Sequence, residues 1–591
     1  MYWRYFFWNF VGRQNDLHST VPGDIYKGNW ESGIGFIDRA HLGDQSEGPD
    51  YIVNSRAKNH FYFLPLILGL IGLLYQLRHD KRNTLVTFLL FFLTGIAVVL
   101  YLNQPPYQPR ERDYAYAGSF YAFTIWIGFA VLWLGDVLEK IFKGKKAPAA
   151  AIASVLCLLV PVQMVSQTWD DHDRSGRYTC HDLAYNYLIG LDKNAILVTH
   201  GDNDTFPLWY IQEVEGVRTD VRIMNTSLLG TDWYIDQMKC KQYESDPVPF
   251  TFEKKDYYYG KNDFVPVTDY IKGTVSGVDL IKVLKDPSVT LRMGDGKDHN
   301  LIVSRHYTIP VNKANVEKYG IVSAEDLAKV PDTLQFNIPD GVSSIDKASL
   351  MMLDLLAHYN WDRPLYVLQR GGDINIGIKD YLQYDGYGFK FVPIKNKTGL
   401  SSEYIDQSVD PDVMYDRIMN TYRFESLAAP VNMDYQNLLT FNALLPVRDI
   451  MAQNAKALAQ KDEPEKAIAV LDKMQKVMPA ENFPLNSSLL SSGNDLAVMD
   501  AVGIYFACGE KEKGEALGDR FIDETYKHIT LFSKPYDGEI FSWENLQKNI
   551  YYLIWIADTY KAAGREKKAE SIRSKADTYV KLFTGKSLDE V

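Results

Sequence analysis

The chain has 591 residues, a formal net charge of -12 and only four cysteines, Cys157, Cys180, Cys240 and Cys508. The acidic balance argues against nucleic acid, which selects a basic footprint. The cysteines form no CxxC pair, so they leave the compartment and a Cys180–Cys240 bridge open.

The length calls for several domains. The soluble-looking mean hydropathy averages two unlike parts. The opening stretch, MYWRYFFWNFVGRQND, has no long apolar core and no small-residue cleavage site, so it is not a secretory signal. Its Trp and Tyr fit the end of a membrane helix or a short interfacial helix. Four apolar segments follow: FYFLPLILGLIGLLYQL, TLVTFLLFFLTGIAVVLYL, FYAFTIWIGFAVLWLGDVL and PAAAIASVLCLLVPVQMV. Each is about as long as a helix needs to cross a hydrocarbon core. The loops LRHDKRN and EKIFKGKKAP are short and basic, which places them in the cytoplasm. The expectation is an external N-terminal segment over 1-58, cut from a larger membrane region, then four transmembrane helices over 59-165. The protein would sit in a bacterial inner (cytoplasmic) membrane, multi-pass, with a large periplasmic C-terminal region.

Residues 166-400 read as a periplasmic α/β domain. Ala195 to Thr199 is a buried strand, Phe206 to Glu215 a helix, Val221 to Asn225 a second strand and Thr231 to Met238 a helix-like stretch. That alternation predicts a parallel sheet with crossover helices. Lys347 to His358 reads as a helix and Pro364 to Leu368 as a strand ending in a turn at Gly371 to Asp373. An irregular or β-rich insertion lies near 246-331. A linker occupies 401-433. Residues 434-591 read as tetratricopeptide-like helical repeats, with turn glycines Gly509 and Gly564 and small residues Ala467, Ala516 and Ala569 early in the second helices. The alanines recur about every 50 residues against an ideal of about 34. Such an array offers a concave surface for a cell-envelope protein, or caps the preceding domain.

Three motifs carry candidate chemistry. In YLNQPPYQPRERDYAYAGS, Arg110 and Arg112 are candidate substrate-binding residues that could hold a phosphate or pyrophosphate bidentately. Glu111 and Asp113 are candidate catalytic residues, able to orient a hydroxyl or hold a metal. An interfacial anchor with internal ion pairs fits the same residues. In HisGlyAspAsnAspThr, His200 is a candidate acid–base group. Asp202, Asn203, Asp204 and Trp209 are candidate substrate-binding residues at the carboxyl end of a strand. Helix capping by Asp204 or Thr205 and core packing by Trp209 are the plain alternatives. Asp170 to Asp173 could bind metal, or form a solvated juxtamembrane linker. No metal ligand set is assigned, and a divalent cation is the one cofactor these carboxylates suggest. GxSxG, Walker, HExxH and GxGxxG patterns are missing from the sequence.

The stretches PPYQPRERDYAYAGSFYAF and THGDNDTFPLWYIQEVEGVRTDVRIMNTSLLGTDWYI resemble a large Bacteroidetes family of multispanning membrane proteins described as protein O-mannosyltransferase-like. The resemblance implies a glycosyltransferase-C-like membrane region, a periplasmic α/β domain and C-terminal tetratricopeptide-like helices. It covers the C-terminal half of that family, whose catalytic aspartate usually lies in an earlier external loop. The expected function is a membrane-anchored, glycosyltransferase-related protein using a polyprenyl-phosphate-linked sugar on periplasmic acceptors. This chain would then be its non-catalytic C-terminal half, with membrane lipid and an N-terminal-half membrane protein as partners. The alternative is a non-catalytic cell-envelope scaffold that binds proteins through its repeats. A transporter fits less well, because the crossings hold almost no ionisable residues.

Overall fold

Apolar patterning becomes helix in the first third of the chain, and short β-branched runs become a sheet in the second. The computed structural model describes residues 2–19, 23–103, 111–368, 374–395, 410–429, 445–489, 494–533 and 539–590. The protein is multidomain and mostly helical, with several sheets. It divides into two compact units. The first comprises Met1–Arg177, Ala429–Leu445 and Pro479–Val591, and the second Tyr178–Ala428 and Pro446–Met478. The helices within 434-591 are therefore shared between the units.

In the first unit, three helices are long and apolar enough to cross a membrane: Lys81–Leu102, Asp113–Ile141 and Lys146–His172. The fourth expected crossing is shorter. Its helix runs Leu64–His79, 16 residues, or roughly 24 Å at the usual rise, less than a typical hydrocarbon core. Tyr62 and Phe63 lie in the left-handed region (φ 52° and 58°), so the aromatic start of that segment stays outside the helix. Asp80 closes the other end by accepting from the backbone N–H of Asn83, which starts the next helix. Leu64–His79 packs along Ala117–Ile141. Gly72 permits the approach, since a Cβ there would lie 1.6 Å from the Trp126 carbonyl oxygen. The buried Trp126 indole donates to Gln76 Oε1 at 2.8 Å, which satisfies both polar groups inside this interface.

The N-terminal helix, Tyr2–Phe10, buries Tyr2, Tyr5, Phe6, Trp8 and Phe10. These pack against Phe91, Tyr116, Phe123 and Trp126 in one aromatic cluster. Helical hairpins form the other part of this unit. Asn494–Ala507 packs on Lys511–Ser533, and Glu539–Ala562 on Glu566–Thr584. The chain before Leu64 is tied to them. Tyr51 hydroxyl and His528 Nε2, both buried, lie 2.7 Å apart, Lys527 pairs with Asp50 at 2.8 Å, and the Tyr26 and Phe532 rings meet edge to face at 5.2 Å.

The second unit is built on a five-stranded sheet. Its strands are β1 (Ile196–Thr199), β2 (Arg222–Asn225), β3 (Leu365–Leu368), β4 (Leu382–Asp385) and β5 (Gly388–Phe391). The order is β4-β5-β3-β1-β2. β3, β1 and β2 pair parallel, as the strand–helix alternation predicts. A hairpin adds two antiparallel strands, so the sheet is mixed. Its two-residue loop places Gly386 at φ 72°, where a glycine avoids Cβ strain. Helix Lys347–Ala357 is buried along its whole length and anchors the main core. The insertion forms a three-stranded sheet (Thr333–Asn337, His306–Pro310 and Val275–Ser276) and two strand pairs, with intervening short helices. The expected turn at Gly371 to Asp373 lies outside the described residues. All four cysteines are free.

Candidate functional site

The two main motifs fall in different units and meet different fates. Arg110, with Pro105, Pro106, Tyr107 and Pro109, lies outside the described residues. Glu111 is 5% exposed, just before the short turn Asp113–Tyr116 that leads into Ala117–Ile141. Its Oε2 accepts from Arg4 Nη2 at 2.5 Å and from the Tyr5 hydroxyl. Its Oε1 lies 2.9 Å from His18 Nδ1. The N-terminal helix supplies Arg4 and Tyr5 one residue apart, and the loop after it supplies His18. Asn15 shapes that loop: its side-chain oxygen accepts from the N–H of Leu17 (3.1 Å) and Gly28 (2.8 Å), and its amide donates to the Tyr26 carbonyl (2.8 Å). Gly28 has φ 58°, and a Cβ there would lie 2.6 Å from the Leu17 carbonyl oxygen, so glycine lets the loop close over Glu111.

Burial would raise the Glu111 carboxyl. The His18 ring, the Arg4 charge and the Tyr5 hydroxyl outweigh it, and the group is held below its usual 4.5. The result is a desolvated carboxylate whose Oε2 accepts two hydrogen bonds and whose Oε1 faces the His18 ring without a well-directed hydrogen bond. The Tyr5 hydroxyl also accepts the Arg112 backbone N–H at 3.2 Å, so the same cluster fixes the backbone that carries Arg112. Arg112 Nη1 donates to the Tyr114 hydroxyl at 3.1 Å, while its buried Nε makes no hydrogen bond. Asp113 is half-buried beside it. Sequence reasoning missed Arg4, Tyr5 and His18. They stand about ninety or more positions from Glu111, and only their presence in an aromatic-rich stretch marked them.

The second motif sits at the carboxyl end of β1. His200 precedes a helix that starts at Gly201 and runs to Glu213. This corrects the expected start near Phe206: the stretch from Gly201 to Thr205 is the first helical turn, not a loop. Pro207 is accommodated inside the helix near its beginning. Asp202 and Asp204 thus lie where the helix dipole favours negative charge, and Asp202 and Asn203 are exposed. Neither Asp204 nor Thr205 is the capping residue. His200 holds that position without a side-chain cap.

His200 Nδ1 lies 2.8 Å from Thr226 Oγ1, and the Thr226 hydroxyl donates to the Thr199 carbonyl at 3.1 Å. That leaves the histidine Nδ1–H as donor to Thr226. The fully buried Asn225 locks the crevice. Its amide donates to Thr205 Oγ1 (2.9 Å) and the Gly201 carbonyl (3.2 Å), and its oxygen accepts from the Ser227 N–H (2.8 Å). Burial raises the Asp204 carboxyl above its usual 3.8, with the nearby His200 opposing. Trp209 is half-buried, packs against the core and stacks on Phe206 at 5.3 Å. The signal for Asn225 and Thr226 was their place at the carboxyl end of β2, at the edge of the same sheet.

The Asp170 to Asp173 motif belongs mostly to the end of Lys146–His172. Asp171 accepts from Asn59 Nδ2 at 2.6 Å. Among the described residues, no group of three or more His, Cys, Asp or Glu side chains is arranged to hold a metal ion.

Comparison with known proteins bears on the second motif. Residues 180–410 match the family model described as TMEM260-associated domain 2. This range contains His200 to Thr205 and ends beyond the sheet. Over 199 residues, the chain is 26% identical to the protein O-mannosyl-transferase tmem260 of Dictyostelium discoideum. The match covers 29% of this chain and 24% of that protein, so it spans about a quarter of the relative's length. No solved structure matches. The similarity is to an O-mannosyltransferase-like family, and the family model falls on the α/β unit. Glu111 and its partners lie outside the matched family model.

Proposed function

We propose that this chain is a membrane-anchored, glycosyltransferase-related protein that engages a polyprenyl-phosphate-linked sugar at the end of its apolar helices. The observation that carries the reading is the clamp around Glu111. Arg4, Tyr5 and His18 surround a buried carboxylate, and the Tyr5 hydroxyl that it holds fixes the Arg112 backbone at the start of an apolar helix. A guanidinium held at that depth suits the phosphate of a lipid carrier. Glu111 and the Tyr5 hydroxyl act as positioning groups, and Asp113 is the carboxylate left to orient a sugar hydroxyl. The TMEM260-associated domain in the α/β unit, with the chain's similarity to an O-mannosyltransferase, supports the reaction class. We place that unit and the hairpins on the periplasmic face of a bacterial inner membrane, because the loops around Arg78, Lys81 and Arg82, and around Lys140 to Lys146, are basic. His200, Asp202 and Asn203 would face an acceptor, and Asp202 with Asp204 is the pair to test for a divalent cation.

The test uses the full chain in native-lipid nanodiscs and polyprenyl phosphate as the probe, followed by native mass spectrometry. Binding that falls at least about tenfold in Arg112→Ala supports the proposal. Equal or absent binding in both proteins sinks it. A second reading is a non-catalytic envelope scaffold. Its support is that Glu111 is buried against Arg4, Tyr5 and His18 within the chain and that packed helical hairpins offer a binding surface. Recovery of a stoichiometric envelope protein, with no lipid phosphate bound, would favour it.

A further inference from the structure

We propose that the helix Gly201–Glu213 docks the second unit onto the bilayer surface through an exposed aromatic face. The buried face of this helix is Thr205, Leu208, Ile211 and Gln212. On the other side Phe206 and Tyr210 are each 49% exposed, and Val214 beyond the helix end is 66% exposed. Spaced four residues apart, they form one stripe. Tyr178, 62% exposed, extends it. The His181 ring bridges the two, 6.3 Å from Tyr178 and 6.4 Å from Tyr210.

The tether identifies the occupant. Tyr178 follows the apolar helix Lys146–His172 after only residues 173–177. A chain of that length spans at most about 20 Å. Trp169 in the last turn of that helix is 73% exposed, as a headgroup-level anchor would be. The stripe therefore stays within reach of the headgroups whether or not it binds them. Its chemistry suits that layer: tyrosine and phenylalanine are amphipathic or apolar, and the two carboxylates at the C-terminal end of the stripe, Glu213 and Glu215, already have partners. Glu215 lies 2.7 Å from His181 Nε2, and Glu213 accepts from Tyr243 and from Gln242 (3.2 Å). Satisfied carboxylates lower the cost of approaching a lipid surface. The inference rests on the apolar helices crossing a bilayer, and not on the glycosyltransferase reading.

The experiment places spin labels, one at a time, on the full chain in phosphatidylcholine nanodiscs, in a background without reactive cysteines. The positions are Phe206→Cys, Tyr210→Cys and Val214→Cys, with Lys297→Cys, exposed in the turn between Thr290–Arg292 and Asp298–Asn300, as the aqueous reference and Leu158→Cys, exposed on an apolar helix, as the lipid reference. Collision with oxygen is compared with collision with a water-soluble nickel chelate. The expected result is that the three stripe labels favour oxygen at least about threefold more than the Lys297 label does. The proposal is overturned if the stripe labels match Lys297 while Leu158 reports lipid. It is also overturned if they are shielded from both reagents, which would mean protein covers the face. If Leu158 itself reports water, the bilayer reading and this inference fall together.

Discussion

The Glu111 and His200 clusters looked alike as sequence: a short run of charged residues beside an apolar segment. In the folded chain they are opposites. Glu111 is closed in by three partners and held ionised, whereas the aspartates after His200 lie in an open first helical turn with solvent on one side. The difference teaches that charge density in a motif does not say whether the charge is spent on holding the fold or left available. What decides is whether distant chain returns to pair with it.

The sharpest way to break this contrast is Glu111→Ala. Removing one partner of a buried charge network leaves Arg4 and His18 uncompensated, at a cost of about 3–5 kcal/mol. Thermal unfolding in detergent should show it, and a loss below about 1 kcal/mol would make the cluster as open as its counterpart. The next effect lies in the same unit. His528 donates through Nδ1 to the Glu524 carbonyl at 2.8 Å, so its Nε2 must accept from Tyr51. Burial, with Lys548 adding repulsion against the Glu524 hydrogen bond, holds the ring down to about 4 against a usual 6.5. A depressed histidine means the unfolded chain binds the proton more readily. Its contribution is complete above about pH 6.5 and is lost as pH falls towards 4, by about 3 kcal/mol. Melting temperatures across that window should fall in the wild type, and His528→Phe should flatten this limb. An unchanged slope in the variant would refute the assignment.

Smaller effects belong to the open cluster. Asn225→Ala strands backbone groups under the crevice and should cost about 1–3 kcal/mol. Amide exchange at Ser227 and Leu228 should rise with it, and unchanged exchange would count against the locking role. Asp204 has the opposite sign to Glu111. Its folded carboxyl titrates above 3.8, so acidification through that window stabilises it, whereas Glu111, lowered below 4.5, loses its contribution as pH falls through its folded value. Asp204→Asn should remove the first trend while changing stability at pH 7 by less than about 1 kcal/mol. A variant that leaves the acid limb untouched would show Asp204 to be solvated. Finally, His200→Ala should cost no more than about 1 kcal/mol, the worth of the Thr226 hydrogen bond.

The parts legible in the sequence were those set by local pattern. Ile196 to Thr199, Arg222 to Asn225 and Leu365 to Leu368 are short apolar runs with β-branched residues, and the parallel pairing follows from the helices between them. Gly509 and Gly564 marked hairpin turns, and both adopt positive φ. The hairpin of β4 and β5 was missed because its tyrosines and glycines read as loop, although Asp385–Gly386 is a turn signal. The polar run from Gly201 to Thr205 read as a loop, so the helix start was set five residues too late. The partners of Glu111 were illegible for a different reason. They come from the other end of the membrane region, and no periodicity in one segment records what packs against it.

The Tyr51–His528 contact has a consequence in time. Its two halves are separated by 477 positions. At about 5–20 residues per second, a ribosome needs roughly 25–95 s between making one and the other. Throughout that interval Tyr26 and Tyr51 stand without the helix that packs on them. Synthesis of this protein therefore includes a waiting period with uncovered aromatic surface, during which a chaperone can bind the N-terminal segment or premature association can trap it.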